Sequence, residues 1–189
     1  MGKIQKEETF MVNIYCYPKC STCKKAIKYL NDQMIDHTII DIKEDNPDKK
    51  TLRKAIGISG LHVRKFFNTS GNLYKETGLS SKLPAMSEEE MLDLLSSDGM
   101  LVKRPLLIAD DFVLVGFKED QWKDIIRILR IRQMEERYDR GSDEDKKILS
   151  SYYKSLWKDD FEADEKGLIP KDMKRGILSE DGLYDLLSR

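Results

Sequence analysis

The sequence predicts an α/β fold with a mixed sheet, followed by a mostly helical C-terminal extension. Residues Met11 to Tyr17 alternate in polarity and are rich in Val, Ile and Tyr, which indicates a strand. From Ser21, apolar residues recur at helical spacing. Residues Thr38 to Ile42, "TIIDI", then form a second strand, about one helix length further on. A connection of this length suits a right-handed crossover between parallel strands, so the chain is expected to begin with a βαβ unit.

The segment after the second strand is predicted to be helical. Asn46-Pro47 supplies an N-cap and a proline at the first helical position, so a helix should run through Ile56 and end at Gly57. A short second helix is expected at residues 61–67. These helices would form a helical insertion in the chain after the second strand.

The chain then returns to the sheet. Ser87–Glu90 is a capping box in front of "MLDLL", and Gly99 is expected to end that helix. "RPLLIADDFVLVGF" contains two short apolar runs separated by Asp110-Asp111, which predicts a hairpin. A long helix should start at Glu119, with one apolar side made of Trp122, Ile125, Ile126, Leu129 and Met134.

The last third of the chain has a different character. It shows no convincing strand, and after Ser142 one apolar stripe is formed by Ile148, Leu149, Tyr152, Tyr153, Leu156 and Trp157. We therefore predict two domains, residues 1–126 with the sheet and residues 127–189 as a helical extension whose role the sequence does not indicate.

Charge and hydropathy exclude some function classes. The chain has 33 basic and 34 acidic residues and a formal net charge of -1, so no overall field favours direct nucleic-acid binding or an anionic membrane surface. The N-terminus lacks the apolar core of a signal peptide, and no run of eighteen apolar residues occurs. We expect a cytoplasmic protein, in which cysteines are not a disulfide framework but serve catalysis, redox sensing, metal binding or packing.

Three cysteines, Cys16, Cys20 and Cys23, lie at the turn between the first strand and the first helix. Their C-x₃-C-x₂-C spacing also occurs in radical enzymes that bind an iron–sulfur cluster, but Cys16 belongs to the strand pattern and the chain is short for such a barrel. A zinc site would need a fourth ligand from His37 or His62, and a second cysteine pair is absent. We therefore expect no metal.

Thiol chemistry fits the position of these cysteines better. At the start of a helix, unpaired backbone N–H groups and the helix dipole favour an anion, and neighbouring lysines add positive potential. Cys20 is therefore predicted to be the nucleophile. Cys23, one helical turn later, could resolve a mixed disulfide formed on Cys20. Cys16 is interpreted as a buried strand residue.

Four separated segments, "YPKCSTCKKA", "FFNTSGNLYKE", "SSDGMLVKRPLL" and "VLVGFKEDQW", resemble the bacterial arsenate reductase and Spx family of thioredoxin-like proteins. The resemblance covers about residues 11–123 and is closest to the arsenate-reductase-like members. It implies a thioredoxin-like fold with a helical insertion. The segment "FNTSG" could be a polar substrate loop, although its residue types are also simply those of turns.

The resemblance also implies roles for particular residues. The family's catalytic cysteine falls on Cys20, and the arginine before its cis-proline falls on Arg104, which would bind the substrate oxyanion by paired hydrogen bonds. Arg64 is a candidate second substrate-binding arginine. Where true arsenate reductases have a third arginine, this chain has Lys118. Lysine supplies positive charge but cannot donate two parallel hydrogen bonds to an oxyanion.

These features predict a thiol-dependent oxidoreductase of arsenate-reductase type, with no bound cofactor. It would act on a small oxyanion or disulfide and take electrons from a redox partner, either thioredoxin, glutaredoxin or a small thiol. The alternative is a redox-sensing regulator of Spx type, in which the same cysteine pair would switch binding to RNA polymerase.

Overall fold

The computed structural model describes residues 11–140, 142–144, 146–147 and 151. Four strands form one sheet: β1 (Asn13–Cys16), β2 (Thr38–Asp41), β3 (Leu106–Ile108) and β4 (Val113–Val115), in the order β2-β1-β3-β4. β1 pairs with β2 in parallel and with β3 antiparallel, and β3 pairs antiparallel with β4. The predicted βαβ start and the predicted hairpin are both confirmed.

Six α-helices accompany the sheet in the described part of the chain. They are α1 (Ser21–Asp32), α2 (Lys49–Ser59), α3 (Asn72–Glu76), α4 (Leu79–Lys82), α5 (Glu88–Ser97) and α6 (Glu119–Arg140), with 3₁₀ turns at Val63–Phe66, Leu83–Ala85 and Gly99–Leu101. Helices α2 to α5 are inserted between β2 and β3. The architecture is thioredoxin-like with a helical insertion, as the sequence predicts.

Helix α2 begins and ends later than predicted. Its N-cap is Asp48, whose carboxylate accepts a hydrogen bond from the Thr51 N–H at 2.7 Å. Asn46 is not available as a cap because its amide donates instead to the Ser96 carbonyl, at 2.7 Å. At the other end, Gly60 adopts the left-handed conformation that terminates the helix. The predicted stop, Gly57, therefore lies inside α2.

Two further predicted boundaries need correction. The helix expected at residues 61–67 is the 3₁₀ turn Val63–Phe66. Helix α5 has the predicted capping box, but it ends at Ser97, and Gly99 starts the next 3₁₀ turn instead of closing the helix. Glycine is required there for another reason, since Gly99 packs directly under the carbonyl oxygen of Ile42.

The hydrophobic core lies between the sheet and the inserted helices. Its fully buried members come from the sheet, from α2 and α5 and from the turn between them, and include Ile42, Leu52, Phe66, Leu92 and Leu106. Exposed ion pairs join α2 to α5. In one of them, both terminal nitrogens of the Arg53 guanidinium donate to the Glu89 carboxylate, at 2.6 and 2.8 Å. The core thus fixes the insertion against the sheet, whose strand β1 ends at Cys16.

The predicted apolar side of α6 is partly confirmed. Trp122, Ile126 and Leu129 are buried, and the Trp122 indole N–H donates to the Gly116 carbonyl at 3.0 Å. The side chain of Met134 lies outside the described residues, as does the apolar stripe predicted after Ser142. No helix in the described ranges is long and apolar enough to span a membrane.

The chain divides into two units, Met1–Arg130 and Ile131–Arg189, and this division falls within α6. The domain boundary expected at residues 126 and 127 stays a prediction. All the residues considered below as a candidate active site belong to the first unit.

Candidate active site

Cys20 is the N-cap residue of α1, in an extended conformation, and is partly exposed. Its N–H donates to the Tyr17 carbonyl at 2.9 Å, and its carbonyl accepts from the Lys24 N–H at 3.1 Å. These bonds fix the backbone, while its side chain makes no capping hydrogen bond. The side chain lines an open cavity of about 980 Å³. The predicted nucleophile is therefore accessible at the start of a helix.

The cavity around Cys20 is polar and rich in charge. Three basic side chains line it, Lys103, Arg104 and Lys118, against two acidic ones, Glu76 and Asp98. The remaining wall has polar residues and glycines, Thr22, Asn68, Ser70, Gly71, Asn72, Gly116 and Gln121, and an apolar part made of Leu73, Met100, Val115 and Phe117. Such a lining suits a small anionic ligand better than an apolar one.

All three cysteines meet at this point. Cys23, in the first turn of α1, is buried, and its thiol interacts with those of Cys16 and Cys20. Cys16 is the last residue of β1 and is also buried. The three are free thiols. The sequence predicts Cys16 as a packing residue, whereas the structure places its thiol in contact with the predicted resolving cysteine.

The interaction between Cys16 and Cys23 shifts the pKa values of the two thiols in opposite directions. The hydrogen bond from Cys16 lowers the pKa of Cys23 to about 6 despite burial, helped by hydrogen bonds from the Tyr17 backbone and from Cys20 and by the charge of Arg104. For Cys16, the same hydrogen bond, burial and the neighbouring sulfurs raise the pKa well above the usual thiol range. Cys23 is thus the thiolate of the buried pair, and Cys16 the protonated donor.

Arg104 has a donor that no protein group in the described residues satisfies. The Arg104-Pro105 peptide bond is cis, as the resemblance implies. One guanidinium nitrogen, Nη1, donates to the Met100 carbonyl at 3.1 Å, and the guanidinium carbon lies 5.5 Å from the centre of the Tyr17 ring. The Nε–H is buried without a hydrogen-bond partner among the described residues. Since buried donors are normally paired, an acceptor on a bound ligand would satisfy it.

Asn68 and Lys118 complete the polar wall. Asn68 belongs to the segment "FNTSG", which forms a turn closed by a hydrogen bond from the Gly71 N–H to the Asn68 carbonyl, at 3.0 Å. Its side-chain amide is directed to the Met100 carbonyl, at 3.4 Å. The segment is therefore both a turn and part of the cavity wall. Sequence reasoning noted the segment but not Asn68 itself, because asparagine is common in any turn.

Arg64 is not brought to Cys20. It lies on the 3₁₀ turn Val63–Phe66, and its guanidinium donates to the Leu83 carbonyl at 3.2 Å. It lines a second cavity, of about 530 Å³, whose wall does not include Cys20 but shares Lys103 with the first. Substrate binding by Arg64 stays a prediction.

The histidines have local partners. His37 forms a hydrogen bond with the Ile35 carbonyl at 2.7 Å, and His62 caps its 3₁₀ turn by accepting from the Arg64 N–H at 3.2 Å. In the part of the chain that the structure describes, no group of three or more histidine, cysteine or acidic side chains is arranged to hold a metal ion. The candidate site around Cys20 is therefore described by its thiols and its basic side chains.

Comparison with known proteins gives relatives of the first unit. The chain is 50% identical over 113 residues to the uncharacterized protein YusI of Bacillus subtilis, covering 60% of this chain and 96% of YusI. It is 30% identical over 98 residues to an arsenate reductase of Rhizobium meliloti, covering 52% and 69% of the two chains. It is 22% identical over 127 residues to the global transcriptional regulator Spx 1 of Bacillus cereus, covering 67% and 95%.

The same part of the chain matches solved structures. An ArsC family related protein from Bacteroides fragilis superposes with a TM-score of 0.60 at 50% sequence identity, covering 62% of this chain and 98% of that one. The sequence profile of a domain of unknown function, DUF4298, matches residues 128–189. The profile of the ArsC family matches residues 15–125, which include the three cysteines and Arg104, and the chain therefore belongs to the ArsC family.

Proposed function

We propose that this protein is a thiol-dependent oxidoreductase of arsenate-reductase type that reduces a small oxyanion. One observation carries the proposal: the accessible Cys20 shares a cavity with Arg104, whose buried Nε–H has no partner among the described residues, and the thiol of Cys20 interacts with that of the buried Cys23. A nucleophile, a donor for a charged oxygen and a second thiol are the three parts that the reaction needs.

The first step forms a covalent adduct. An oxyanion such as arsenate binds with its oxygens toward the guanidinium of Arg104, and the positive charges of Lys103 and Lys118 compensate its negative charge. The sulfur of Cys20 attacks the arsenic atom, an S–As bond forms, and one arsenic oxygen leaves as water after taking up protons. Arsenic stays in its higher oxidation state, As(V), in this adduct.

The second step is the reduction. The Cys23 thiolate attacks the sulfur of Cys20, forming a disulfide and breaking the S–As bond, whose electron pair passes to arsenic. Arsenate is thereby reduced by two electrons to arsenite, and two thiols are oxidised. The lowered pKa of Cys23 supports this role because a thiolate, and not a thiol, is the attacking species.

The third step restores the thiols. An external dithiol or two equivalents of a small thiol reduce the Cys20–Cys23 disulfide and are themselves oxidised to a disulfide. Thioredoxin, glutaredoxin and small thiols are all candidate donors. With a disulfide as the substrate, Cys20 would attack sulfur in place of arsenic and the later steps would be the same.

The test is arsenite production in the presence of each donor, with Cys20→Ser and Cys16→Ser compared with the wild type. Loss of the nucleophile should lower the rate by at least about a thousandfold. Cys16→Ser is the comparison within the same cluster: serine keeps a hydroxyl donor toward Cys23 and Cys16 does not attack the substrate, so the rate should fall far less than in Cys20→Ser. Full activity of Cys20→Ser on any substrate that the wild type reduces would refute the mechanism.

A redox regulator is the second candidate function. It is favoured by the likeness to Spx 1 and by the contact between Cys20 and Cys23, since a reversible disulfide between them could switch a binding surface. The test is co-elution with bacterial RNA polymerase in gel filtration, with the protein either reduced or oxidised. Binding in one redox state, abolished in Cys23→Ser, would support a regulator, and no binding in either state would exclude it.

A further inference from the structure

Cys16 is the one member of the cysteine cluster that the proposed reaction does not use. We propose that Cys16 is a second resolving cysteine, which exchanges the Cys20–Cys23 disulfide for a buried Cys16–Cys23 disulfide. The inference rests on the proposed function, because that reaction supplies the first disulfide. It adds a catalytic residue whose sulfur touches a reacting sulfur.

The position of Cys16 makes this exchange geometrically direct. Cys16 at the end of β1 and Cys23 in the first turn of α1 are both buried, and the thiols of Cys16 and Cys20 both act on that of Cys23, so Cys23 has two possible partners. The backbone of Cys16 is fixed by parallel pairing with Asp41 and by a hydrogen bond from the Ile42 N–H to its carbonyl, at 2.9 Å. The positions of Cys16 and Cys23 are therefore set by a strand and a helix and not by a loop.

The exchange needs no further oxidant or reductant. Once Cys23 is in a disulfide, its thiolate no longer holds the proton on Cys16, so Cys16 can give up that proton and attack as a thiolate. The new S–S bond forms between Cys16 and Cys23 as the bond between Cys23 and Cys20 breaks. Cys20 leaves with the electron pair and takes the proton that Cys16 gives up. One disulfide replaces another, and the number of thiols and protons is unchanged.

Burial favours the product. Cys16 and Cys23 are 2% and 1% exposed, so the Cys20–Cys23 disulfide leaves the thiol of Cys16 buried, whereas the Cys16–Cys23 disulfide leaves the partly exposed Cys20 as the free thiol. The leaving sulfur of Cys20 departs at the N-terminus of α1, where a transient negative charge is stabilised. Cys20 thus returns to the cavity as a thiol while the oxidised pair is out of reach of solvent, and an external reductant reaches that pair only through Cys20.

Tryptic peptides distinguish the two disulfides. Cleavage after Lys19 and Lys24 places Cys16 in the peptide of residues 7–19 and both other cysteines in "CSTCK". The Cys20–Cys23 disulfide is therefore a loop within one short peptide, and the Cys16–Cys23 disulfide links two peptides. The full-length protein is oxidised with one equivalent of diamide, held at neutral pH for increasing times, alkylated in denaturant at mildly acidic pH, digested and analysed by mass spectrometry.

We expect the looped peptide first and the linked peptides, with alkylated Cys20, increasing at its expense to a constant ratio. In Cys16→Ser the looped peptide should persist. Only looped peptide in the wild type at all times, with Cys16 fully alkylated, would overturn the inference while leaving the proposed function intact. No disulfide of either kind would overturn both.

Discussion

At the scale of single residues, Cys23 connects the groups of the site. It receives hydrogen bonds from Cys16, the Tyr17 backbone and Cys20, and the positive charge of Arg104 acts on it. Since these groups stabilise the thiolate, the pKa of Cys23 is lowered to about 6, and the thiolate is present above that pH and lost below it. The reductive step should therefore slow as the pH falls through this range.

The titration of Cys23 is the first prediction. In Cys20→Ser, which keeps a hydroxyl donor at position 20, the ultraviolet absorbance of the thiolate should rise in a step centred near pH 6. Adding Cys16→Ala should move the step to higher pH, because the largest stabilising hydrogen bond is lost, and adding Cys23→Ser should remove it. A midpoint that Cys16→Ala leaves unchanged would contradict this account of the cluster.

Arg104 provides the second prediction. Arg104→Lys keeps the charge but removes the Nε–H and the planar arrangement of donors, so kcat/KM for arsenate should fall about 10- to 100-fold. Arg64→Lys is the matched control, and because Arg64 lines the other cavity, kcat/KM should change less than about twofold. Steady-state kinetics of the two variants test this. Equal losses would instead support substrate binding by Arg64.

Single residues differ in how far the sequence reveals them. Cys20 is predictable because a strand-to-helix turn fixes its backbone position from local sequence, and Arg104 because the resemblance aligns it with the arginine before the family's cis-proline. Cys16 and Asn68 are not, because their part in the site depends on what their side chains meet after folding. The contact of Cys16 with Cys23, and of Asn68 with Met100, joins different elements. Arg64 is predicted as a second substrate-binding arginine, and local sequence does not determine that its turn lines the other cavity.

At the scale of elements, strong local patterns predict the existence and type of each element well. The βαβ start, the hairpin and the capping box of α5 all depend on residues within a few positions of one another. The start of α2 was predicted wrongly because the side chain of Asn46 is used elsewhere, by Ser96 on α5. Competition from a residue fifty positions away is not visible in a local pattern.

Gly99 gives the third prediction, at the contact between the turn after α5 and the end of β2. A Cβ atom at this position would lie 1.8 Å from the Ile42 carbonyl oxygen, so the backbone would have to move. Gly99→Ala should therefore lower the free energy of unfolding by about 1–3 kcal/mol, as overpacking usually does. Urea denaturation measures the change.

Gly57→Ala is the control for this substitution. Gly57 is exposed within α2, and an added Cβ would meet no atom within 4 Å. Alanine should stabilise the helix there by about 0.5–1 kcal/mol. If both variants lost the same stability, the close approach of Gly99 to Ile42 would not be the cause.

At the scale of the whole molecule, two families are joined in one chain. The ArsC profile matches residues 15–125 and the DUF4298 profile matches residues 128–189. The residues that line the cavity around Cys20 all lie between Cys20 and Gln121. YusI aligns over 96% of its own length to 113 residues, or 60%, of this chain.

The fourth prediction follows from this division. A chain that ends after Arg140 keeps all of α6 and every residue of the cavity, so it should fold cooperatively and form the Cys20–Cys23 disulfide at the same rate as the full chain. Thermal unfolding and quenched alkylation measure the two properties. Arsenite production by the shortened chain should also lie within about twofold of the full-length value, since no group of the proposed reaction is removed. A shortened chain that folds and forms the disulfide but no longer turns over would assign part of the reaction, such as docking of the electron donor, to residues after Arg140.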